Sequence, residues 1–268
     1  MIAQQCIGFY NTPPLWTGKQ FDIQQFEFPQ INMKSFQAKP IPNNIRLGHQ
    51  IEYVFRQLLD HSEAYDILVY NLPIRQSKLT LGEIDFILMD IIRHKLIHIE
   101  LTYKFYIIDP KISNPIHSLI GPNRRDSFFD KMEKIKHVQY PLLHTDEGAR
   151  TLAADNLDSS AIEHQCCFKG QLFQPYGSRA VDLGALNTDC LAGYWVGIED
   201  FDKSEFTKAQ YYIPTKSEWI IEPNEQVTWK SHTEVLGDII LLLRKERAPM
   251  LWMKKSTGIF EKVFILWW

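Results

Sequence analysis

The sequence predicts an α/β protein, and the spacing of apolar residues in its middle section is the reason. After an Asn43-Asn44 cap, apolar side chains recur at helical spacing up to residue 59. Two later segments instead alternate apolar with polar residues, as β-strands do. The predicted elements are a helix at 47–59, strands at 66–70, 82–88 and 97–107, a helix at 124–140 that ends before Pro141, and a strand at 166–173.

The segments on either side of this middle section differ from it in composition. Residues 1–44 contain repeated prolines and many aromatic residues, which predicts an extended arm packed on the domain. Residues 181–268 contain six of the seven tryptophans. We therefore divide the chain into an N-terminal arm (1–44), a core (45–180) and a C-terminal α+β subdomain or extension (181–268). Its predicted elements are strands at 193–198, 218–221, 249–254 and 262–268 and a helix at 233–244.

Composition limits the classes of function that are open to this chain. It has 268 residues, 45% of them hydrophobic, and a net charge of -3. That charge excludes nucleic-acid binding through overall charge, so such a role needs local basic patches. Two segments are locally basic, and each alone is typical of solvated helix ends. They are Arg124-Arg125 with Lys131, Lys134 and Lys136, and Arg244, Lys245 and Arg247 with Lys254 and Lys255.

Cysteine usage and apolar runs indicate the cellular compartment. None of the four cysteines has C-x-x-C spacing, which argues against a zinc site and for reduced thiols in a cytoplasmic protein. The longest apolar run is far shorter than the roughly 20 residues that cross a bilayer. We therefore expect a cytoplasmic protein without a membrane partner.

The two central strands contain acids where a strand usually has neutral polar residues. In the second of them, Glu100, Thr102 and Lys104 share one face and apolar residues share the other. In the first, Asp85 lies opposite the apolar face. If the strands pair, Asp85, Glu100 and Lys104 project from one side of a sheet. Carboxylates bind a hard divalent cation and a lysine supports a water nucleophile or a phosphate, as a metal-dependent phosphodiesterase requires.

Each of these residues also has a purely structural interpretation. Glu100 and Lys104 could form a salt-bridged ladder on a solvent-facing sheet, which stabilises little. Glu52 could belong to an ordinary i,i+4 ion pair on its helix. Gln139 occupies a position where the second helical stripe expects an apolar residue, so it is either a helix-edge glutamine or a polar group aimed at the carboxylates. His98 shares the face of Glu100 but is expected to be a neighbour, because such sites prefer oxygen ligands.

The order of these elements and acids is similar to that of a known superfamily. The chain resembles the bacterial family called domain of unknown function 1853, which is grouped with the PD-(D/E)XK nucleases. The resemblance spans most of residues 45–180 and implies a restriction-endonuclease-like αβββαβ core with a mixed central sheet. It lies in Leu47-Gly48-His49-Gln50-Ile51-Glu52, Gly82-Glu83-Ile84-Asp85-Phe86, His98-Ile99-Glu100-Leu101-Thr102-Tyr103-Lys104, Gly121-Pro122-Asn123, the helix from Lys131 to Gln139, and Gly170-Gln171-Leu172-Phe173-Gln174-Pro175-Tyr176-Gly177.

The resemblance implies a role for each matching residue. Asp85 is expected to be the bridging metal ligand and Glu100 the second ligand, with a backbone carbonyl of the same strand as a third. Glu52 is expected to complete the site or to bind a second metal. Gln139 matches the glutamine that RecB-type nucleases have on the following helix. The implied cofactor is Mg²⁺ or Mn²⁺.

The lysine departs from the superfamily pattern. The pattern places it two residues after the acid, where this chain has Thr102, and Lys104 lies about 6.5–7 Å further along the same face. Two functions stay open: a metal-dependent phosphodiesterase acting on nucleic acid, with DNA favoured over RNA, or a catalytically inactive nuclease-fold protein that serves as a nucleic-acid- or protein-binding scaffold. A sugar- or nucleotide-processing hydrolase lacks support, because the sequence has no P-loop, G-x-S-x-G, G-x-G-x-x-G or H-E-x-x-H motif.

Overall fold

The chain combines helices with strands, as the sequence predicts for an α/β protein. The computed structural model describes residues 1–178, 181–223 and 226–268. Its strands form a large mixed sheet, with both antiparallel and parallel neighbours, and this confirms the predicted α/β class. Within the described residues, no helix is long and apolar enough to cross a membrane.

The helices and strands have the following bounds. The helices are α1 (Ile2–Asn11), α2 (Leu47–His61), α3 (Pro115–Ser118), α4 (Phe128–Lys134), α5 (Tyr140–Leu142), α6 (Asp146–Ala154), α7 (Ile198–Phe201) and α8 (His232–Leu243), with a π-helical turn at Ile135–Gln139. The strands are β1 (Lys19–Gln20), β2 (Ile23–Gln24), β3 (Tyr65–Gln76), β4 (Leu79–Asp90), β5 (Lys95–Ile108), β6 (Leu119–Ile120), β7 (Ile162–Pro175), β8 (Leu191–Gly197), β9 (Gln210–Tyr212), β10 (Lys230–Ser231), β11 (Met250–Lys254) and β12 (Phe260–Leu266).

The described chain divides into two compact units, and each is assembled from separate segments. The first unit comprises residues 1–103 and 130–169, and the second comprises residues 104–129 and 170–268. The predicted boundaries at residues 44 and 180 stay a prediction. Strands β5 and β7 each contribute residues to both units.

In the first unit, β3, β4 and β5 form an antiparallel meander. Ser77 and His94 adopt positive φ angles of 56° and 54° in the two connecting turns. The helix predicted at 47–59 is α2, and it buries the predicted apolar stripe. Its Phe55 ring packs on Phe86 of β4 with the ring centroids 4.7 Å apart. The helical period thus placed one continuous apolar face against the sheet.

The N-terminal segment packs on the first unit, as its aromatic residues predict. It begins with helix α1, whose Phe9 is fully buried and meets Phe55 edge to face at 6.3 Å. The buried ammonium of Lys169 donates hydrogen bonds to the carbonyls of Phe9 (2.9 Å) and Tyr10 (3.1 Å) near the end of α1. Carbonyls in the last turn of a helix lack partners within the helix, so this lysine acts as a C-terminal cap.

In the second unit, β8 pairs in parallel with β7 and β12. The strands predicted at 249–254 and 262–268 correspond to β11 and β12, which form an antiparallel hairpin, and Gly258 takes a φ of 81° in its turn. Helix α8 buries Val235 and Ile239 against apolar residues of these strands. The strand predicted at 218–221 is wrong: the chain there forms a 3₁₀ turn, Lys216–Glu218, closed by a capping box from Thr215.

The helix predicted at 124–140 differs at both ends. It begins at Phe128, because the preceding residues form a turn in which the Arg124 N–H donates to the Gly121 carbonyl. It also continues to Leu142 through the π-helical turn instead of ending before Pro141. A proline lacks the N–H and its ring clashes with the carbonyl four residues earlier, so a widened turn lets the helix pass it.

Candidate functional site

In the first unit, the pairing of β4 and β5 places Asp85 beside Glu100. The paired positions run from Asp90 with Lys95 to Phe86 with Ile99. One step further, Asp85 Oδ2 accepts a hydrogen bond from the Leu101 N–H at 2.9 Å. The Asp85 carboxylate thus accepts the Leu101 N–H, which would otherwise bond to a backbone carbonyl of the neighbouring strand. This hydrogen bond holds Asp85 against the backbone that follows Glu100.

Three alternate residues of β5 project polar groups to one buried side, as the strand period predicts. His98 and Glu100 are fully buried, and Thr102 is 3% exposed. Among the described residues, His98 Nε2, Glu100 Oε1 and Thr102 Oγ1 have no hydrogen-bond partner. Most buried polar atoms in proteins are satisfied, so a row of three is unusual. This face has unused capacity for water or a cation.

The other oxygen of Glu100 is held by a glutamine and a lysine of the following helix. Gln139 Nε2 donates to Glu100 Oε2, and Lys131 Nζ donates to Gln139 Oε1 at 2.8 Å. Lys131 Nζ also lies 4.0 Å from Glu100 Oε2. Gln139 is the last residue of the π-helical turn, a local distortion that is frequent at functional sites. The glutamine therefore bridges an acid and a cation.

Lys131 is the residue that our sequence reasoning missed as part of this site. We grouped it with a basic segment, although it precedes Gln139 by eight residues and so lies on the same side of the helix. That spacing was the available signal. The amide bridge and the short distance to Glu100 make Lys131 the cation of the acid pair.

Burial and mutual repulsion set the charge of the acid pair. Burial, and next the charge of Asp85, raise the pKa of Glu100 to about 8. Burial also raises the pKa of Asp85 to about 6, although the Leu101 N–H and Lys131 oppose the shift. Burial lowers the pKa of Lys131, and Glu100 opposes that shift. Near neutral pH the pair therefore keeps protons more readily than two exposed carboxylates would, because burial and mutual repulsion both disfavour two negative charges.

The helix acid Glu52 lies near Asp85 and is positioned by Asn71. The Asn71 amide donates to Glu52 Oε2 at 2.8 Å, and His49 Nδ1 lies 3.2 Å from Glu52 Oε1. The charge of Glu52 is one of those that raise the pKa of Asp85. Asn71 has a positive φ of 49° within β3. Asparagine is rare inside strands and tolerates this conformation, so it was a second sequence signal that we did not use.

Lys104 belongs to the second unit, and its ammonium has a different partner. Its Nζ donates to Asp126 Oδ2 at 2.6 Å. The Lys104 side chain is 35% exposed and that of Asp126 is 42% exposed. The salt-bridged ladder between Glu100 and Lys104, the structural alternative, is absent from the described ion pairs, as is a Glu52–Arg56 pair.

A chain of histidines adjoins Glu100 in the first unit. His98 Nδ1 lies 2.9 Å from His164 Nδ1, and His164 Nε2 lies 2.8 Å from His144 Nε2. Tyr140 stacks on His164, with ring centroids 4.5 Å apart. Burial lowers the pKa of His98 to about 3 and that of His164 to about 4. These two rings are therefore neutral at pH 7, and each contact needs one nitrogen as donor and the other as acceptor.

Asp85 and Glu100 are the residues of this site that could contact a hard divalent cation. No group of three or more His, Cys, Asp or Glu residues in the described chain could hold a metal ion. Mg²⁺ does not need such a group, since it is commonly bound by one or two carboxylates, waters and substrate phosphates. Asp85 and Glu100 supply the carboxylates, and the unpartnered Glu100 Oε1 is an oxygen with a free coordination position.

The whole site lies within the part of the chain that a protein-family model matches. The model is described as Domain of unknown function (DUF1853), and it covers residues 22–260. The chain belongs to the DUF1853 family. No curated protein and no solved structure matches it. The matched region contains Asp85 and Glu100 as well as Lys131 and Gln139, so the candidate site lies inside the DUF1853 domain.

Proposed function

We propose that this DUF1853 protein is a Mg²⁺- or Mn²⁺-dependent phosphodiesterase of the PD-(D/E)XK type that acts on nucleic acid, with DNA preferred over RNA. The observation that supports it best is the pair Asp85 and Glu100. Glu100 is fully buried and Asp85 is half-buried, the pKa of each is raised, Glu100 Oε1 has no hydrogen-bond partner, and Gln139 joins Glu100 to Lys131. Perturbed acids next to a cation are typical of catalytic sites.

The element order also supports the proposal. With the short elements α3 and β6 and the helix α6 left aside, helix α2, the meander β3–β4–β5, the helical segment that contains Gln139 and strand β7 have the chain order αβββαβ, which is the order proposed for the superfamily core. The proposed ligands lie on the expected elements. Asp85 is on the second strand of the meander, Glu100 is on the third, and Glu52 is on the first helix.

In the proposed mechanism, Asp85 and Glu100 would hold the cation, and Glu52 would support a water or a second cation. When bound, the cation activates a water and neutralises charge that develops on the phosphate. Glu100 must first release its proton, and Lys131 favours the ionised form because its charge opposes the effect of burial. Gln139 keeps Glu100 oriented through its amide and leaves Glu100 Oε1 free.

We assign to Lys131 the role that the superfamily pattern gives to the lysine after the acid. Thr102 occupies that sequence position and has no charge, while Lys104 is paired with Asp126. The ammonium of Lys131 lies within 4.0 Å of the carboxylate, so it can orient a water or stabilise a phosphate there.

A second function is favoured by the same departure. The protein could be a catalytically inactive nuclease fold that binds nucleic acid or protein as a scaffold, since Thr102 replaces the expected lysine. The scaffold and the enzyme differ in metal binding. Only the enzyme requires a cation that binds through Asp85 and Glu100.

The test combines cleavage with metal binding. Purified protein is incubated with supercoiled plasmid, linear duplex, single-stranded DNA and RNA in Mg²⁺, Mn²⁺ or EDTA. We expect metal-dependent cleavage that Asp85→Asn and Glu100→Gln abolish. The matched control is Glu63→Gln, an exposed acid of the first unit, which should cleave like wild type. Lys131→Gln should reduce cleavage and still bind Mn²⁺ in calorimetry.

Two results decide between the functions. Absence of cleavage on every substrate, together with absence of carboxylate-dependent Mn²⁺ binding, would refute the enzyme. Nucleic-acid or protein binding by such a protein would favour the scaffold. Cleavage that survives in Asp85→Asn would refute the proposed site, because that variant lacks the proposed bridging ligand.

A further inference from the structure

The second unit brings together two basic segments that are far apart in the sequence. One is the loop around Arg124 and Arg125, and the other is the segment that follows helix α8. The Ala248 N–H donates to Asn123 Oδ1 at 2.8 Å, and Arg125 Nη2 lies 3.9 Å from Glu246 Oε2. We call the resulting region the two-loop basic surface, and its cations are Arg124, Arg125, Arg244, Lys245 and Arg247.

The charge of this surface is not neutralised by its surroundings. All five cations are exposed. In the described chain, Arg244, Lys245 and Arg247 have no carboxylate within salt-bridge distance. The pair of Arg125 with Glu246 is 68% and 71% exposed, and exposed pairs of this kind hold their partners weakly. The two loops contain two acids, Glu246 and Asp126, and Asp126 is already paired with Lys104, so the five cations keep an excess of positive charge.

Both loops are held in fixed conformations. Trp268 Nε1 donates to the Pro122 carbonyl at 3.1 Å, and the Arg124 guanidinium lies 4.8 Å from the Trp268 ring centroid. Arg124 and Glu246 take positive φ angles of 53° and 51°, and their N–H groups donate to Gly121 and Leu243 carbonyls. Such conformations persist only where the surrounding structure imposes them. A ligand therefore meets two loops whose backbone is already ordered and one cation, Arg124, that a ring already holds, which lowers the entropy cost of binding.

We propose that the two-loop basic surface binds the phosphate backbone of a nucleic acid. Four of the five cations are arginines, whose planar guanidinium matches two phosphate oxygens at once. Residues 123–126 and 244–247 are all polar, so neither loop offers an apolar side chain to insert into a bilayer. Each basic segment alone looked like a solvated helix end, and only their contact makes a polyanion surface.

This inference deepens the proposed function, because it names a surface on which the substrate is held, and it rests on that function for the choice of polyanion. Binding to phosphates can be separated from cleavage. Counterion release makes such binding depend on salt, with a slope of about -0.9 per neutralised phosphate on duplex DNA. The number of phosphates that a variant no longer neutralises can therefore be measured without any metal.

The experiment measures fluorescence anisotropy of a labelled 20-base-pair duplex and a 20-nucleotide single strand in EDTA, over a range of KCl concentrations. The test variant is Arg244→Ala/Lys245→Ala/Arg247→Ala, which breaks none of the described ion pairs. The matched control is Lys34→Ala/Arg75→Ala/Lys78→Ala, which removes the same charge from exposed positions in the first unit. We expect the test variant to bind at least tenfold more weakly and the magnitude of its salt slope on duplex to fall by about 2–3, while the control binds like wild type.

Three outcomes would overturn the inference. They are equal weakening in the control, an unchanged affinity in the test variant, and a wild-type protein that binds phosphatidylserine vesicles but neither nucleic acid. Failure of the proposed function looks different. A protein that binds through this surface but never cleaves would keep the inference and lose the phosphodiesterase, whereas metal-dependent cleavage by a protein whose affinity the triple substitution leaves unchanged would do the reverse.

Discussion

Replacing Glu100 with glutamine should make the protein more stable at alkaline pH, because the buried carboxylate ionises there and its charge destabilises the native state. Burial and the charge of Asp85 raise the pKa of Glu100 from 4.5 to about 8. A raised acid pKa means that the folded protein holds a proton that the unfolded chain has already released. The stability from this group is therefore complete below pH 4.5, and it is lost as the pH rises toward 8.

The size of the effect follows from the shift. Each pKa unit corresponds to about 1.4 kcal/mol, so ionising Glu100 in the fold costs up to about 5 kcal/mol relative to acid pH. Glutamine has almost the same shape and never ionises. Its oxygen can accept the bond from Gln139, and its amide can donate toward His98 Nε2, which lies 3.6 Å from Glu100 Oε1. We expect Glu100→Gln to raise the free energy of unfolding at pH 8 by about 3 kcal/mol, and by less than about 1 kcal/mol at pH 5.

The assay is urea unfolding in EDTA at pH 5, 6.5 and 8, with thermal unfolding as a second measurement. At this chain length each kcal/mol corresponds to about 2–4 °C in Tm. The control is Glu83→Gln, whose acid is exposed, so its stability should stay within about 0.5 kcal/mol of wild type. A Glu100→Gln protein that is no more stable than wild type at pH 8 would refute the reasoning. It would mean that interactions with the surrounding residues offset the cost of burying the Glu100 charge.

Other parts of the structure make three further predictions. In urea unfolding, Gly148→Ala should destabilise the protein by about 2–3 kcal/mol, because the new Cβ would lie 2.2 Å from a backbone oxygen. The control Gly197→Ala has open space around the new Cβ and should unfold like wild type. Lys169→Met should cost about 2–3 kcal/mol in the same assay by leaving two carbonyls near the end of α1 without a donor, and an unchanged midpoint would contradict that role. The Mn²⁺ affinity should rise between pH 6 and 8, because binding requires Glu100 to release its proton. Calorimetry in buffers of different ionisation enthalpy measures that proton release, and tighter binding at pH 6 would contradict the assignment.

Most of the fold could be predicted because its signals are local. The helical stripe of α2 and the alternation in β4 and β5 depend on residues two to four positions apart, and these elements formed where the pattern placed them. Errors occurred where another interaction outweighed the pattern. Pro141 predicts a helix end, but a π-helical turn lets the helix continue, and the apolar segment at 218–221 is shaped by a capping box.

The acidic half of the candidate site was visible in the sequence, and its cationic half was not. Strand parity is enough to put Glu100, Thr102 and His98 on one side, because consecutive side chains of a strand point to opposite faces. No such rule relates Lys131 to Glu100. Their proximity depends on how a helix packs on the sheet and on the particular turn that aims Gln139.

By itself, the sequence determined the α/β class, the elements that bear the acids and the faces on which they lie. Only the tertiary structure decided that Lys131 accompanies the carboxylates, that Lys104 pairs with Asp126, and that two distant basic segments form one surface. The physical reason is that periodicity encodes direction along a single helix or strand, whereas ion pairs and shared surfaces depend on distances between segments that only packing brings together.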